Sequence, residues 1–465
     1  MSKVEVNTVE PQCGTTLTLG GSGDTVALGS GASQTGFGRT GTVDWDTASI
    51  KTTGFTAVSG NGYFCNTTGG IFTATLPSSP SAGDIVALKD YAGTFATNTL
   101  TLGRGGSNIN GTASDFTLTT NGVAITVVYV DGTKGWLVTD EGSNTYITQF
   151  INASGGTIST CGNDRIHTFT GPGCFTVTAL GNPLGSDTVG YAVVAAGGGG
   201  GGGNCGGGGG AGGYREAKGI NTCYTASPLV APAGLSVTAG PTVYPIVVGG
   251  GGAASTGAGP GCCTSTPGGD GNVSSFSTIS SAGGGGGAGG PVTAGRDGGS
   301  GGGSGGGVGG TGNTPPVSPA QGFDGGGPGI AGGGGGGALA SFCCQPYVGG
   351  PGANTTINPA EGTSGPGCGT YFSGGGGGGK NGPTAIPAPT QAPPAPSGFN
   401  GARGGYGGGG RGDGGASPGT TAGFACAGTD NTGGGGGGGG RQTNVVNYNG
   451  KAGGSGIVII RYKFQ

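Results

Sequence analysis

The residues that could carry acid–base chemistry are few along this 465-residue chain. His167 is the only histidine, and it lies in the alternating segment 166–170 with no nucleophile or base close to it in sequence. We interpret it as a structural residue. Acidic residues are sparse and form no paired-carboxylate motif of the kind that general acid–base catalysis uses. The sequence therefore predicts a protein that is not an enzyme.

Twelve cysteines are the other potentially reactive side chains. Two pairs are adjacent, Cys262–Cys263 and Cys343–Cys344, and the CxxC spacing of a zinc site is absent from the sequence. We expect no metal and no cofactor. The polar start of the chain does not resemble a secretory signal. Two interpretations therefore stay open: buried or half-buried free thiols, or disulfides formed by late oxidation outside the cell.

Composition excludes other classes of partner. Charged residues make up 8% of the chain, against about 25% in ordinary globular proteins, and the net charge is −3. Without a basic patch, we expect no nucleic-acid partner. The longest apolar runs are too short to span a bilayer, so we expect no membrane insertion and synthesis in the cytoplasm.

The elements that must position any binding residues fall into four regions. Residues 1–45 contain a short β repeat, TLTLG at 16–20 and TVALG at 25–29, which predicts an attachment or shaft region. Residues 46–145 are predicted to form a β domain with a hairpin at Asp131-Gly132. Residues 146–196 are predicted to be a β connector that contains a hairpin around 171–173. Residues 197–465 form the glycine-rich region, which ends in a strand at 457–462.

Glycine accounts for 129 residues, and nearly all of the long runs follow residue 196. The runs are 197–203, 206–210, 249–252, 283–287, 298–310 (interrupted), 332–337, 374–379, 407–410 and 433–440. A flexible linker needs no closing strand, collagen needs a strict Gly-X-Y period, and phosphate loops need following helices. We therefore predict polyglycine helices of the polyproline II type, packed side by side with exposed loops, and essentially no α-helix.

The segments between the glycine runs are richer in aromatic and polar residues. Aromatic faces stack on sugars and short polar side chains bind hydroxyl groups, so these segments could bind a glycan. The alternative is that each aromatic residue shields the ends of the glycine helices from water. Arg411 begins an Arg-Gly-Asp tripeptide, which we interpret as a chance match. The candidate receptor-binding residues are Tyr214, Tyr224, Phe342, Tyr347, Tyr371, Phe372, Phe424 and Arg411.

Several strings resemble those of marine bacteriophage tail fibres with a C-terminal glycine-rich receptor-binding domain. The strings are MSKVEVNTVEPQCGTTLTLGGSGDTVALGSG and its continuation to 45, IHTFTGPGCFTV at 166–177, SSFSTISSAGGGGG, GNTPPVSPAQG and the ending GGSGIVIIRY. The resemblance implies an adhesin of the virion tail that exposes loops to a host glycan or outer-membrane protein. It also implies a homotrimer that joins other tail or baseplate proteins through its N-terminus. The cysteine pairs depart from this pattern.

Two other classes remain open at this point. One is a structural fibre or surface subunit without a receptor, and the other is an ice-binding protein. If each connection reverses the chain, the strands at 191–196 and 457–462 mark the base of the stack. Counting passes then predicts tip loops at 214–248, 291–297, 338–373 and 411–432. The same count places the proline-rich stretch 384–397 near the base.

Overall fold

The computed structural model divides into two compact units, Met1–Tyr146 and Ile147–Gln465. The short repeat of the first region, Phe342 and both adjacent cysteine pairs lie outside the described residues. No α-helix occurs in the part of the chain that the structure describes, so the prediction of a mainly β fold without α-helix is confirmed. The described residues are 9–11, 43–142, 150–181, 185–220, 222–238, 242–256, 265–290, 293–327, 329, 331–340, 345–367, 369–380, 401–414, 424–441 and 447–464.

The first unit contains two facing sheets. Its strands are β1 (Asp44–Lys51), β2 (Phe55–Thr56), β3 (Asn61–Cys65), β4 (Phe72–Thr75), β5 (Ile85–Asp90), β6 (Leu100–Gly103), β7 (Phe116–Leu118), β8 (Ala124–Asp131) and β9 (Gly135–Gly142). Strands β1, β3 and β5 run parallel in one sheet, which continues antiparallel through β8 and β9. Strands β2, β4 and β6 run parallel in the other sheet, and β7 closes it.

Three successive segments of the first unit thus each place one strand in each sheet. Leucine, valine and aromatic side chains fill the space between the sheets. Trp136 is fully buried there, whereas Trp45 is 37% exposed and packs on Phe64 at 5.0 Å between ring centroids. The hairpin between β8 and β9 forms as predicted, because the carboxylate of Asp131 accepts the backbone N–H groups of the turn.

The second unit carries the remaining described strands. They are β10 (Asn152–Ser154), β11 (Thr157–Cys161), β12 (Asp164–Phe169), β13 (Gly173–Ala179), β14 (Thr188–Val194), β15 (Tyr214–Ala217), β16 (Val230–Ala231), β17 (Leu235–Ser236), β18 (Thr242–Val247), β19 (Ser274–Phe276), β20 (Ile279–Ser281), β21 (Ala353–Thr355), β22 (Thr363–Ser364), β23 (Thr370–Phe372) and β24 (Ile457–Lys463). One sheet has the order β10-β13-β18-β19-β20 and another the order β11-β12-β24-β14-β15-β16.

Strands β14 and β24 form the centre of the six-stranded sheet. They pair antiparallel, with Tyr191 opposite Ile460, so the strands before and after the glycine-rich region do lie together. One face of this sheet packs on the five-stranded sheet, and the other is covered by segments 222–229 and 353–372. Both strands are therefore buried on both faces, which explains their continuous apolar sequences.

The predicted hairpin around 171–173 is wrong. Both of its strands exist, as β12 and β13, but they belong to different sheets. Strand β12 already pairs with β11 on one edge and with β24 on the other. Strand β13 pairs with β10 and β18 instead. The Gly-Pro-Gly turn therefore carries the chain from one sheet to the other.

The glycine-rich segments bond to one another through their backbones, and segment 197–203 shows how. Its N–H groups donate to three neighbouring segments in rotation. The donors at 197, 200 and 203 reach segment 448–454, those at 198 and 201 reach segment 207–210, and those at 199 and 202 reach segment 266–269. The backbone of this segment thus points in the same direction again every third residue.

The carbonyl groups of segment 197–203 point at three further neighbours. Carbonyls 197 and 200 accept from segment 252–255, carbonyls 198 and 201 from segment 436–439, and carbonyls 199 and 202 from segment 287–290. Six segments therefore surround this one. Every N–H of the segment, and every carbonyl from 197 to 202, has a partner, as buried backbone requires.

These bonds define two ends of the stack. We name the end at β14 and β24 the sheet end and the opposite end, where segment 197–203 finishes, the far end. The chain reverses at Gly203, whose φ of +86° favours glycine. Segment 206–213 then returns beside 197–203, because the N–H of Gly201 bonds to Gly207 and that of Gly198 to Gly210. The first two glycine runs are thus two passes and not one.

Because of this extra pass, two of the segments that were predicted to be tip loops lie at the sheet end. Segment 214–248 begins with β15 paired to β14 and lies at the sheet end. Most of segment 338–373 also lies there, because 353–372 covers the six-stranded sheet. Segment 291–297 keeps its far-end position next to Gly290, which bonds to Gly202. Segment 411–432 keeps it only in part, because its residues 429–432 lie at the sheet end, where Thr432 bonds to Ser373 and Ser455. Stretch 384–397 lies outside the described residues.

Candidate functional site

Neighbouring glycine segments pack so closely in the stack that their backbones leave no room for side chains. A Cβ atom added at Gly335 would lie 1.9 Å from the carbonyl oxygen of Gly209, and one at Gly436 would lie 2.0 Å from that of Lys451. Real Cβ atoms do not come within 3.0 Å of other heavy atoms. Side chains that reach a ligand must therefore come from the two ends or from the flanks of the stack.

Three of the predicted receptor-binding residues are core residues of the sheet end. Tyr214 and Phe372 are 1% and 0% exposed, and Tyr224 is 8% exposed. The hydroxyl of Tyr214 donates to Glu216 at 3.0 Å and that of Tyr224 donates to the carbonyl of Ala217 at 3.3 Å. Burial raises the pKa of both phenols. These side chains shield the sheet from water, so we no longer count them as receptor contacts.

Two further candidates are also partly enclosed. Tyr371 is half-buried at the sheet end, where its hydroxyl donates to the carbonyl of Pro366 at 2.7 Å and its ring lies 5.5 Å from that of Tyr406. Tyr347 is 9% exposed and packs with Ala331 and Ala402. Both rings are thus partly covered by neighbouring residues.

Phe424 and Arg411 both contact Cys426, although 12 residues lie between them in sequence. Phe424 is 64% exposed, and its ring meets that of Tyr448 edge to face at 6.2 Å. Arg411 is half-buried and donates from Nη2 to Sγ of Cys426 at 3.4 Å. We name Arg411, Phe424, Cys426 and Tyr448 the far-end cluster. It combines an open aromatic face with a cation.

Sequence reasoning missed Tyr448. The signal was present, because Tyr448 lies in a polar stretch between the last glycine run and the final strand, like the residues that were selected. The backbone places it at the far end, since its carbonyl accepts the N–H of Gly203. The two residues after Arg411 run inside the stack: Asp413 is fully buried, and Gly412 donates to the carbonyl of Ala402.

A buried ion pair joins the sheet to the segments that cover it. Nε of Arg461 lies 2.8 Å from Oδ2 of Asp164, and the two side chains are 3% and 5% exposed. The remaining guanidinium nitrogens donate to the backbone carbonyls of Cys223, Thr356 and Ile357. One side chain of β24 thus holds β12 and both covering segments in place.

His167 is fully buried, as its structural interpretation requires. Its Nδ1 lies 2.7 Å from the carbonyl oxygen of Gly155, and its Nε2 lies 3.0 Å from the hydroxyl of Tyr462. The neutral tautomer with a proton on Nδ1 satisfies both contacts, donating to Gly155 and accepting from Tyr462. Burial lowers the pKa of the imidazole and keeps it neutral.

A family model described as a glycine-rich domain matches residues 169–463, which is more than half of the chain. The chain belongs to the glycine-rich domain family. The match begins at the end of β12 and runs to the end of β24, so the glycine-rich domain includes strands as well as glycine segments. No curated protein matches the chain.

The described residues of the glycine-rich domain and of the first unit hold no group of three histidine, cysteine or acidic side chains placed to bind a metal ion. Across the described ranges, no helix is long and apolar enough to cross a membrane.

Proposed function

We propose that this protein is a bacteriophage tail-fibre adhesin, a virion protein that binds a host receptor at the far end of its glycine-rich domain. The observation that carries the proposal is the difference between the two ends of the stack. At the sheet end, Tyr214, Tyr224 and Phe372 are buried in a core, and Tyr371 is half-buried. At the far end, Phe424 is open to solvent beside Tyr448.

The glycine segments of this adhesin are proposed to be polyglycine helices of the polyproline II type. Such helices have three residues per turn and no internal hydrogen bonds, so their backbone groups must bond to neighbours. The rotation of partners every third residue along segment 197–203 supports this assignment. So does the approach of neighbouring carbonyl oxygens to about 2 Å from the Cβ position of Gly335.

A host glycan is the receptor chemistry that the far-end cluster fits best. The exposed ring of Phe424 suits the C–H face of a sugar, and Tyr448 supports that ring from the side. The guanidinium of Arg411 suits hydroxyl or carboxylate groups. An outer-membrane protein remains the other receptor that the resemblance to tail fibres implies.

A homotrimer that joins other tail or baseplate proteins through its N-terminus is part of the proposal. It rests on the resemblance to tail fibres and on the short repeat of residues 1–45, whose predicted strands are too short to bury a core alone. Light scattering of the intact chain tests it. A mass near three times 43.2 kDa is expected, and the mass of a single chain would refute the trimer.

Replacement of Phe424 by alanine is expected to weaken adsorption of the labelled full-length protein to host cells by about 5- to 150-fold, because the loss of one aromatic stacking contact costs about 1–3 kcal/mol, as measured for nucleobases. The matched control is Tyr91→Ala, which removes a 56% exposed ring from the first unit. Both variants should melt like the unaltered protein. Adsorption that falls equally in both would place recognition elsewhere, and no adsorption of the unaltered protein to any host would favour a structural subunit.

A further inference from the structure

Two solvent-exposed thiols, those of Cys161 and Cys223, line one open cavity of about 460 Å³ at the edge of the six-stranded sheet. Asp164, Arg461 and Lys463 complete its wall. Cys161 is the last residue of β11, and Cys223 belongs to the segment that covers the sheet. Sixty-one residues lie between the two cysteines in sequence, so the fold brings them to this cavity.

Asp164 links the two cysteines. It lies directly opposite Cys161 in the β11–β12 hairpin, where paired side chains share one face and their Cβ atoms are about 4.5–5.5 Å apart. Its carboxylate accepts the backbone N–H of Cys223 at 3.3 Å. Both thiols thus flank one side chain, on the sheet face that carries Arg461.

The backbone of Cys223 is held in this position from two sides. Its N–H donates to Asp164, and its carbonyl accepts Nη2 of Arg461 at 3.2 Å. Because Arg461 and Asp164 form a buried ion pair, the segment cannot move away without breaking its hydrogen bonds to that pair. The fold thus holds Cys223 at the cavity that Cys161 also lines.

The other described cysteines lie in other parts of the protein. Cys65 is buried in the first unit, and Cys174 lies on the opposite side of the domain, on the exposed face of β13. Cys205 and Cys426 belong to the far end. Cys161 and Cys223, by contrast, line one cavity together.

We propose that Cys161 and Cys223 form a disulfide when the protein meets a small-molecule disulfide such as oxidised glutathione. One thiolate attacks a sulfur of the reagent, which releases one reduced thiol and leaves a mixed disulfide. The second cysteine attacks the protein sulfur of that mixed disulfide and releases the second thiol. The two cysteines lose two electrons, the reagent gains them, and both protons end on the released thiols.

This bond would tie the β11–β12 hairpin to the segment that covers the sheet. Closing the loop from 161 to 223 restricts the unfolded chain, so the oxidised glycine-rich domain is expected to melt later. The expected shift is on the order of 5 °C for a unit of this size. The inference does not depend on the proposed receptor, because it concerns the sheet end alone.

Peptide mapping of the full-length protein tests the proposal. After oxidation with glutathione disulfide, blocking of free thiols and denaturation, trypsin cuts after Lys134, Arg165, Lys218 and Arg296. The expected product is peptide 135–165 linked to peptide 219–296. Cys161 is the only cysteine of the first peptide. The link should disappear in Cys223→Ser and in Cys161→Ser.

Two controls distinguish the Cys161–Cys223 disulfide from disulfides that involve other cysteines. Cys262 and Cys263 lie in the same tryptic peptide as Cys223, so the double variant Cys262→Ser/Cys263→Ser must keep the link. Cys174→Ser must keep it as well. The rise in melting temperature on oxidation should vanish in Cys223→Ser, which under reducing conditions melts like the unaltered protein. A missing link in the unaltered protein, or a link that survives Cys223→Ser, overturns the proposal.

Discussion

Valine at Gly335 or Gly436 is expected to leave the glycine-rich domain unfolded. At both positions the first side-chain atom would lie about 2 Å from a backbone oxygen of another segment. Such an overlap cannot be relieved by turning a side chain, because both partners are backbone. Moving one segment away would break its bonds to several neighbours, so the loss should exceed about 4 kcal/mol.

Neighbouring glycines of one run supply the control. A Cβ atom at Gly250 would meet only the side chain of Asn272, at 3.8 Å, whereas one at Gly251 would lie 1.9 Å from the carbonyl oxygen of Gly453. Gly250→Val should therefore fold and Gly251→Val should not. Circular dichroism melting and soluble yield measure the difference. Normal melting of Gly335→Val and Gly436→Val would mean that the glycine runs are a flexible linker.

Leucine in place of Arg461 is expected to lower the free energy of unfolding of the glycine-rich domain by about 3–5 kcal/mol. The substitution leaves Asp164 buried without its positive partner, which is the costly way to break an ion pair. It also removes the donors that hold the carbonyls of Thr356 and Ile357. The matched control is Arg296→Leu, because Arg296 pairs with Asp270 at 3.2 Å but both side chains are about half exposed. That change should cost less than about 1 kcal/mol.

The two units can be followed separately in the same denaturation experiment. Both tryptophans of the chain, Trp45 and Trp136, belong to the first unit, so tryptophan fluorescence reports that unit alone. Near-ultraviolet circular dichroism of the tyrosines reports mainly the second. In Arg461→Leu the tyrosine transition should move and the tryptophan transition should stay. Equal shifts of both transitions would contradict the assignment of Arg461 to the sheet end.

Cooperation among many neighbours explains how a chain so rich in glycine can fold. Ordering a residue costs about 1–2 kcal/mol, and a hydrogen bond returns a net of about 0.5–1.5 kcal/mol. A single pair of glycine segments therefore gains almost nothing. Segment 197–203 uses both its N–H and its carbonyl groups and has six neighbours, so nearly every residue that it orders contributes two bonds.

The local sequence pattern was sufficient to predict where the strands lie. The alternating or continuous apolar runs at 85–88, 123–130, 191–196 and 457–462 all become strands, because a strand face or a buried strand leaves its pattern in the sequence. The pairing of the strands with one another could not be predicted from the local pattern. Strands β12 and β13 carry a turn signal between them but pair elsewhere, since their partners β24 and β18 are distant in sequence.

Three of the predicted binding residues, Tyr214, Tyr224 and Phe372, are buried at the sheet end, and a related reason explains why the sequence did not show this. Asn204 and Cys205 interrupt the first glycine run only briefly, and nothing in their types distinguishes a reversal from a continued pass. Because this turn was not predicted, Tyr214 and Tyr224 were assigned to a tip loop, although they lie at the sheet end. An aromatic residue among polar neighbours looks the same whether it covers a sheet or faces a ligand. These two roles can be distinguished only when the direction of each pass of the chain is known.

The most direct test of the account is to block one end of the stack at a time. A short biotin-acceptor peptide can be inserted at Gly306, in an exposed turn of the far end, or after Ala360, an exposed residue of the sheet end. Each biotinylated full-length protein is then loaded with streptavidin, and its adsorption to host cells is compared with the unloaded protein. Streptavidin at Gly306 is expected to abolish adsorption, whereas streptavidin at Ala360 should leave it intact. Loss of adsorption only with Ala360 blocked would contradict far-end recognition.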